Sequence, residues 1–158
     1  MELTPTPSQT IGPFFHLCLH SETNLDSLEG EQIQLVCRIL DGDGTPVSDA
    51  LIEIWQADGA GKYGGFGRQW TNEDGRCEFQ TVKAGHVNVQ IFARGLLKQL
   101  FTRIYFDGEA SNTSDPVLAL VPDDRRETLM ARPNPEDLNI WKFEIRLCAD
   151  SETVFFDV

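Results

Sequence analysis

Along most of this chain, apolar side chains return at every second position in short runs. Ile33, Leu35, Cys37 and Ile39 share one parity, and Val87, Val89 and Ile91 repeat the pattern within 87–93. Successive side chains of an extended backbone point to opposite faces, so such a run buries one face and wets the other. The run Leu51-Ile52-Glu53-Ile54-Trp55-Gln56 predicts another strand. So do 75–81, with Cys77 and Phe79, and 100–106, with Leu100, Thr102, Ile104 and Phe106 alternating. Trp141, Phe143, Ile145 and Leu147 predict a sixth strand, and 153–156 a short seventh. Turn chemistry separates the runs, densest at Asp41-Gly42-Asp43-Gly44-Thr45-Pro46 and Asp58-Gly59-Ala60-Gly61. Together these features predict an all-β chain, an antiparallel β-sandwich.

One short helix is expected, over 121–132. Pro122 suits its first turn, Asp123 and Asp124 lie near its start, and Arg132 lies near its end before Pro133. That is the charge order a helix dipole favours. A helical turn also fits 21–28. Residues 1–31 lack periodicity and carry Pro5, Pro7 and Pro13. They read as an extended N-terminal arm that packs on a partner chain, because Phe14, Phe15, Leu17 and Leu19 need cover. Residues 32–158 read as the sandwich domain.

The length, 158 residues, is that of one domain. Thirteen Lys and Arg against 25 Asp and Glu leave a net charge of −12. That balance argues against nucleic acid and anionic membranes as partners, since both are bound through cations. No apolar run reaches the ~20 residues of a membrane span. No signal-peptide pattern opens the chain, so the cytoplasm is the expected compartment. Cys18, Cys37, Cys77 and Cys148 form no C-x-x-C pair and read as small buried hydrophobes.

Few residues suggest chemistry. His86-Val87-Asn88 would place two imidazoles on one strand face if position 88 were His, but Asn is a poor ligand for ferric or zinc ions. His86 then reads as a hydrogen-bonded structural residue or a single ligand. Tyr63 lies in a Gly-rich loop running to Gly67, either a rim aromatic or a hard phenolate donor. His16 and His20 sit four apart in an irregular segment and are discounted as a metal pair. Arg94, in Phe92-Ala93-Arg94-Gly95, ends a strand before a glycine that permits a sharp exit. Its guanidinium suits either a rim salt bridge or a bidentate grip on a carboxylate. No nucleophile motif and no phosphate-binding loop is present.

Several strings go further. Thr6-Pro7-Ser8-Gln9-Thr10-Ile11-Gly12-Pro13-Phe14, Leu51-Ile52-Glu53-Ile54-Trp55-Gln56-Ala57-Asp58 and Thr81-Val82-Lys83-Ala84-Gly85 come first. Phe92-Ala93-Arg94-Gly95, Thr102-Arg103-Ile104-Tyr105-Phe106-Asp107, Arg125-Arg126-Glu127-Thr128-Leu129 and Glu152-Thr153-Val154-Phe155-Phe156-Asp157 come after them. In this order they resemble the intradiol ring-cleaving dioxygenases, and within them the α rather than the β chains of two-chain members. The resemblance implies a β-sandwich and a non-haem Fe³⁺ held by two tyrosines and two histidines of the β chain. Tyr63 and His86 fall at two of those ligand positions, Asn88 replaces a third, and the fourth has no counterpart, so both read as remnants. No residue of this chain is expected to bind metal or to be catalytic. Thr10, Gly12, Pro13 and Arg94 match positions that line the substrate pocket. The implied partners are a β chain in a hetero-oligomer of αβ units, O₂, and protocatechuate, cleaved to 3-carboxy-cis,cis-muconate. Loops at 63–66 and 85–86 look shorter than is usual for the family. Two rivals stand beside this reading: a non-catalytic transthyretin-like or carbohydrate-binding module, and a self-sufficient catechol or hydroxyquinol dioxygenase.

Overall fold

The computed structural model describes residues 5–12 and 18–157. Among these, nine strands form one curled sheet in the order β1-β4-β3-β6-β7-β8-β9-β2-β5. They are β1 (Glu22–Thr23), β2 (Gln32–Leu40), β3 (Leu51–Ala57), β4 (Tyr63–Trp70), β5 (Arg76–Val82), β6 (Val87–Phe92), β7 (Leu100–Phe106), β8 (Met130–Asn134) and β9 (Asp137–Arg146). The sheet folds over between β7 and β8, which share only the register Tyr105↔Met130 and Phe106↔Ala131. Its two halves then face each other as the layers of a sandwich.

The alternation seen in the sequence is the alternation that fills the core. Leu35, Cys37 and Ile39 of β2, Val87, Val89 and Ile91 of β6, and Ile145 of β9 are all fully buried in one shared cluster. Each such aliphatic side chain contributes about 1.5–3 kcal/mol when withdrawn from water. Pairing is mainly antiparallel, but β2 lies parallel to β9 and β7 parallel to β8. Both parallel pairs join strands far apart in sequence, so no hairpin turn signals them.

Four expectations change. The Gly-rich stretch after Tyr63 is a strand, β4, and not a loop. A Cβ at Gly67 would sit 2.8 Å from Leu25 Cδ1 and 2.9 Å from Phe79 Cδ1. Glycine is there so that the inner layer can close on the backbone. The helix expected over 121–132 is a 3₁₀ helix over Asp123–Leu129. The sheet claims the residues after Leu129, since Met130 begins β8 between β7 and β9. Residues 153–156 contribute a single bridge, Phe101↔Phe156, in place of a strand. Cys37 and Cys77 are buried, but Cys18 and Cys148 are exposed, Cys148 because β9 ends at Arg146.

The expected turn within 21–28 is a 3₁₀ turn, Leu25–Ser27. Leu25 is fully buried, β1 pairs with β4, and Trp70 Nε1 donates to the Leu19 carbonyl at 2.9 Å. Residues 19–31 therefore also contact this chain's own sheet. Residues 5–10 belong to no strand or helix and are exposed. Pro13, Phe14, Phe15, His16 and Leu17 lie outside the described residues. No helix among the described residues is long and apolar enough to cross a membrane.

Candidate functional site

Strand β6 carries a polar region at each end. At its C-terminal end, Ala93 is buried and the chain turns out at Gly95, whose φ of +90° suits glycine. The Gly95 N–H donates to Thr10 Oγ1 at 2.6 Å, across 85 residues of sequence. This bond brings the arm to the strand end. Arg94 Nε lies 2.8 Å from Asp49 Oδ2, with the Arg94 side chain 56% exposed. Asp49 itself holds a left-handed backbone, φ 61°, which is uncommon away from glycine. Gln9 and Ile11 of the arm share a shallow cleft with Phe92 and Leu96. Thr10 and Arg94 are thus brought together. Gly12 is exposed two residues beyond Thr10, at the edge of the described segment, and Pro13 lies outside it.

At the other end of β6, His86 sits among Tyr63, Asp115, Arg103 and Tyr105. Tyr63 Oη is 3.3 Å from His86 Nε2, and His86 Nδ1 is 3.6 Å from Asp115 Oδ2. Asp115 accepts from the buried Tyr105 hydroxyl at 2.9 Å and from the N–H groups of Val117 and Leu118. Arg103 Nη1 lies 3.8 Å from the same carboxylate. Burial disfavours charge on His86 and, with the Arg103 guanidinium, lowers its pKa despite Asp115. Burial also pushes the Tyr105 phenol up to about 12. Burial would raise Asp115 too, but the Leu118 N–H, the Tyr105 hydroxyl and the Val117 N–H outweigh it and bring its pKa below the usual value. The cluster therefore favours neutral His86, a protonated Tyr105 and an ionised Asp115.

The sequence points to Tyr63 and His86 here and leaves Asp115 and Arg103 unmarked. The signal for Asp115 is faint: an Asx residue before Pro116 and an apolar run, where a carboxylate caps the following turn. Asp49, the partner of Arg94, carries no signal of its own.

A dioxygenase family (Dioxygenase) matches residues 16–85. The protocatechuate 3,4-dioxygenase α chain of Burkholderia cepacia is 40% identical, across 99% of this chain and 98% of that one. The chain belongs to the intradiol ring-cleavage dioxygenase family. The Pseudomonas putida α chain is 37% identical over 99% of this chain and 98% of its own length. The Burkholderia cepacia β chain is 30% identical over 79% of this chain and 66% of its own. This is a family of oxidoreductase enzymes, which sets aside the non-catalytic module. The alignment to the Burkholderia α chain runs over 194 positions, more than this chain's 158 residues, so that relative has segments this one lacks. Among solved structures, the dioxygenase domain of a dioxygenase–carbohydrate-binding fusion from Streptomyces sp. SirexAA-E superposes with a TM-score of 0.66. It is 25% identical and covers 96% of this chain and 100% of that one.

The family implies iron, and the residues near His86 do not fit it. Tyr63 and His86 meet, but Asn88 offers a neutral amide where an anionic or imidazole donor is needed. Arg103 adds a cation to the cluster, and Asp115 is spent on Tyr105 and two backbone N–H groups. Among the described residues, no three His, Cys, Asp or Glu side chains gather to hold a metal.

Proposed function

We propose that this chain is the α subunit of a protocatechuate 3,4-dioxygenase and works in the cytoplasm, paired with a β chain that holds the iron. The pair would cleave 3,4-dihydroxybenzoate with O₂ between its hydroxyl-bearing carbons, giving 3-carboxy-cis,cis-muconate. The near full-length likeness to two α chains carries this reading. In it, Thr10, Gly12, Pro13 and Arg94 form pocket wall, and the arm packs on the β chain. The Thr10–Gly95 bond supports the grouping, since it ties the arm to the strand end that bears Arg94.

What this chain does chemically is bind and orient. In a chain of net charge −12, an anionic substrate needs a placed cation. Asp49 holds Arg94 through Nε, and the side chain stays more than half exposed, available to a carboxylate. The test is steady-state kinetics of the αβ enzyme carrying Arg94→Ala. A charge-assisted hydrogen bond is worth ~1.5–3 kcal/mol, so kcat/KM for protocatechuate should fall roughly ten- to a hundredfold. Catechol, which has no carboxylate, should be affected far less. Arg94→Lys should recover only part, because the planar fork is lost. Iron content should not change. Equal losses on both substrates would retire Arg94 as a substrate residue.

A further inference from the structure

Although the chain carries −12 overall, five of its 13 Lys and Arg line one groove of about 600 Å³ on the outer face of the β5-β2-β9-β8 layer. They are Arg38, Arg76, Arg132, Lys142 and Arg146, against two carboxylates, Glu127 and Glu144. Both carboxylates are engaged, Glu144 with Arg146 at 2.6 Å and Glu127 with Arg132. Lys142 is held by a neutral oxygen, Asn134 Oδ1, at 3.1 Å. Glu78, one row away, accepts from Gln34.

Arg38 and Arg76 are left over, and they stand directly opposite each other on β2 and β5. Like charges in that position destabilise a sheet; Glu144 faces Arg38 from β9, but its carboxylate is paired with Arg146 at 2.6 Å. Arg38 Nε donates to the Asp74 carbonyl at 3.2 Å, which orients the guanidinium while neutralising nothing. Among the described residues neither arginine has a carboxylate partner. Two guanidinium forks across a strand pair can grip oxyanion oxygens bidentately. The groove has the size of small-molecule sites, roughly 300–1,000 Å³, and Val36 and Met130 add apolar lining. The acidic remainder of the surface repels anions, so this concentration of cations is the favoured place for one.

We propose that this groove binds a small multivalent oxyanion, a phosphate or a polycarboxylate, between Arg38 and Arg76. The site lies on the opposite layer from Arg94 and does not depend on the pocket reading.

The test is calorimetry and thermal unfolding of the assembled αβ protein with inorganic phosphate and with citrate. Sodium chloride and acetate at matched ionic strength serve as controls. One or both multivalent anions should bind saturably and raise Tm where chloride and acetate do not. Phosphate alone would assign the site to phosphates, and citrate alone to polycarboxylates. The double variant Arg38→Gln/Arg76→Gln should weaken binding at least tenfold while unfolding no earlier than wild type without anion, because a like-charge contact has gone. Arg76→Lys, which keeps the charge and loses the fork, should fall between. Unchanged anion binding in the double variant, or an equal effect of chloride, would overturn the proposal. So would dissociation of the αβ assembly in that variant without any anion binding to wild type. That result would make the groove a seat for an acidic protein surface.

Discussion

At the start of β6, His86 sits among Tyr63, Asp115, Arg103 and Tyr105, and Asp115 takes hydrogen bonds from the Tyr105 hydroxyl and two backbone N–H groups. At the end of the same strand, Arg94 is more than half exposed and is held by one acid, while the arm is tied on by one bond from Gly95. A cluster bonded mainly within itself should act as architecture. An exposed cation held by a single acid can still meet a group from outside the chain. The two ends should therefore respond oppositely to mutation: the first in stability, the second in substrate affinity.

The sharpest way to break this contrast is Asp115→Ala. It strips the buried Tyr105 hydroxyl and two backbone N–H groups of their acceptor. Unsatisfied buried groups cost about 1–3 kcal/mol each, so urea unfolding should show a loss of about 3 kcal/mol or more, with Asp115→Asn milder. A loss below about 1 kcal/mol would mean that the cluster is not structural.

Next in size is the alkaline limb. Tyr105 titrates at about 12 in the folded chain against 10 unfolded. The folded state keeps a proton that the unfolded chain releases, so this stabilisation is intact below pH 10 and is lost as pH rises toward 12. A tenfold change in proton affinity is worth about 1.4 kcal/mol, so the contribution amounts to about 2–3 kcal/mol, and Tyr105→Phe should lack that limb. His86 works at the other end. Its folded pKa lies below 6.5, so the unfolded chain takes up the proton first and stability falls as pH drops below 6.5. His86→Gln should flatten that slope, a smaller effect read from Tm against pH. Smallest of all, Arg94→Ala should change stability by at most about 1 kcal/mol, as for exposed ion pairs, while it reduces kcat/KM for protocatechuate. A large stability loss would place Arg94 with the architecture.

Much of the fold is legible in the sequence because burial follows parity. Ile33 to Ile39 and Val87 to Ile91 lie in the core as their spacing predicts. Strand β4 is hidden because Leu25 and Phe79 close on its backbone at Gly67, and that glycine reads locally as a turn. The parallel β2–β9 pairing leaves no local trace. The 3₁₀ turn at Asp123–Leu129 looks longer in the sequence because Met130 to Arg132 continue a composition that tertiary pairing redirects into β8. At the site, the Thr10–Gly95 contact spans 85 residues, and only family strings point to it. Asp49 and Asp115 act through partners that chain position does not show.

The central claim is that the metal belongs to the partner and the pocket wall to this chain. Iron analysis and a visible spectrum, taken on this chain alone and then on the αβ assembly, test it directly. The chain alone should carry no stoichiometric iron and no tyrosinate-to-Fe³⁺ band, and both should appear with the β chain. Stoichiometric iron and that colour in the chain alone would contradict the account.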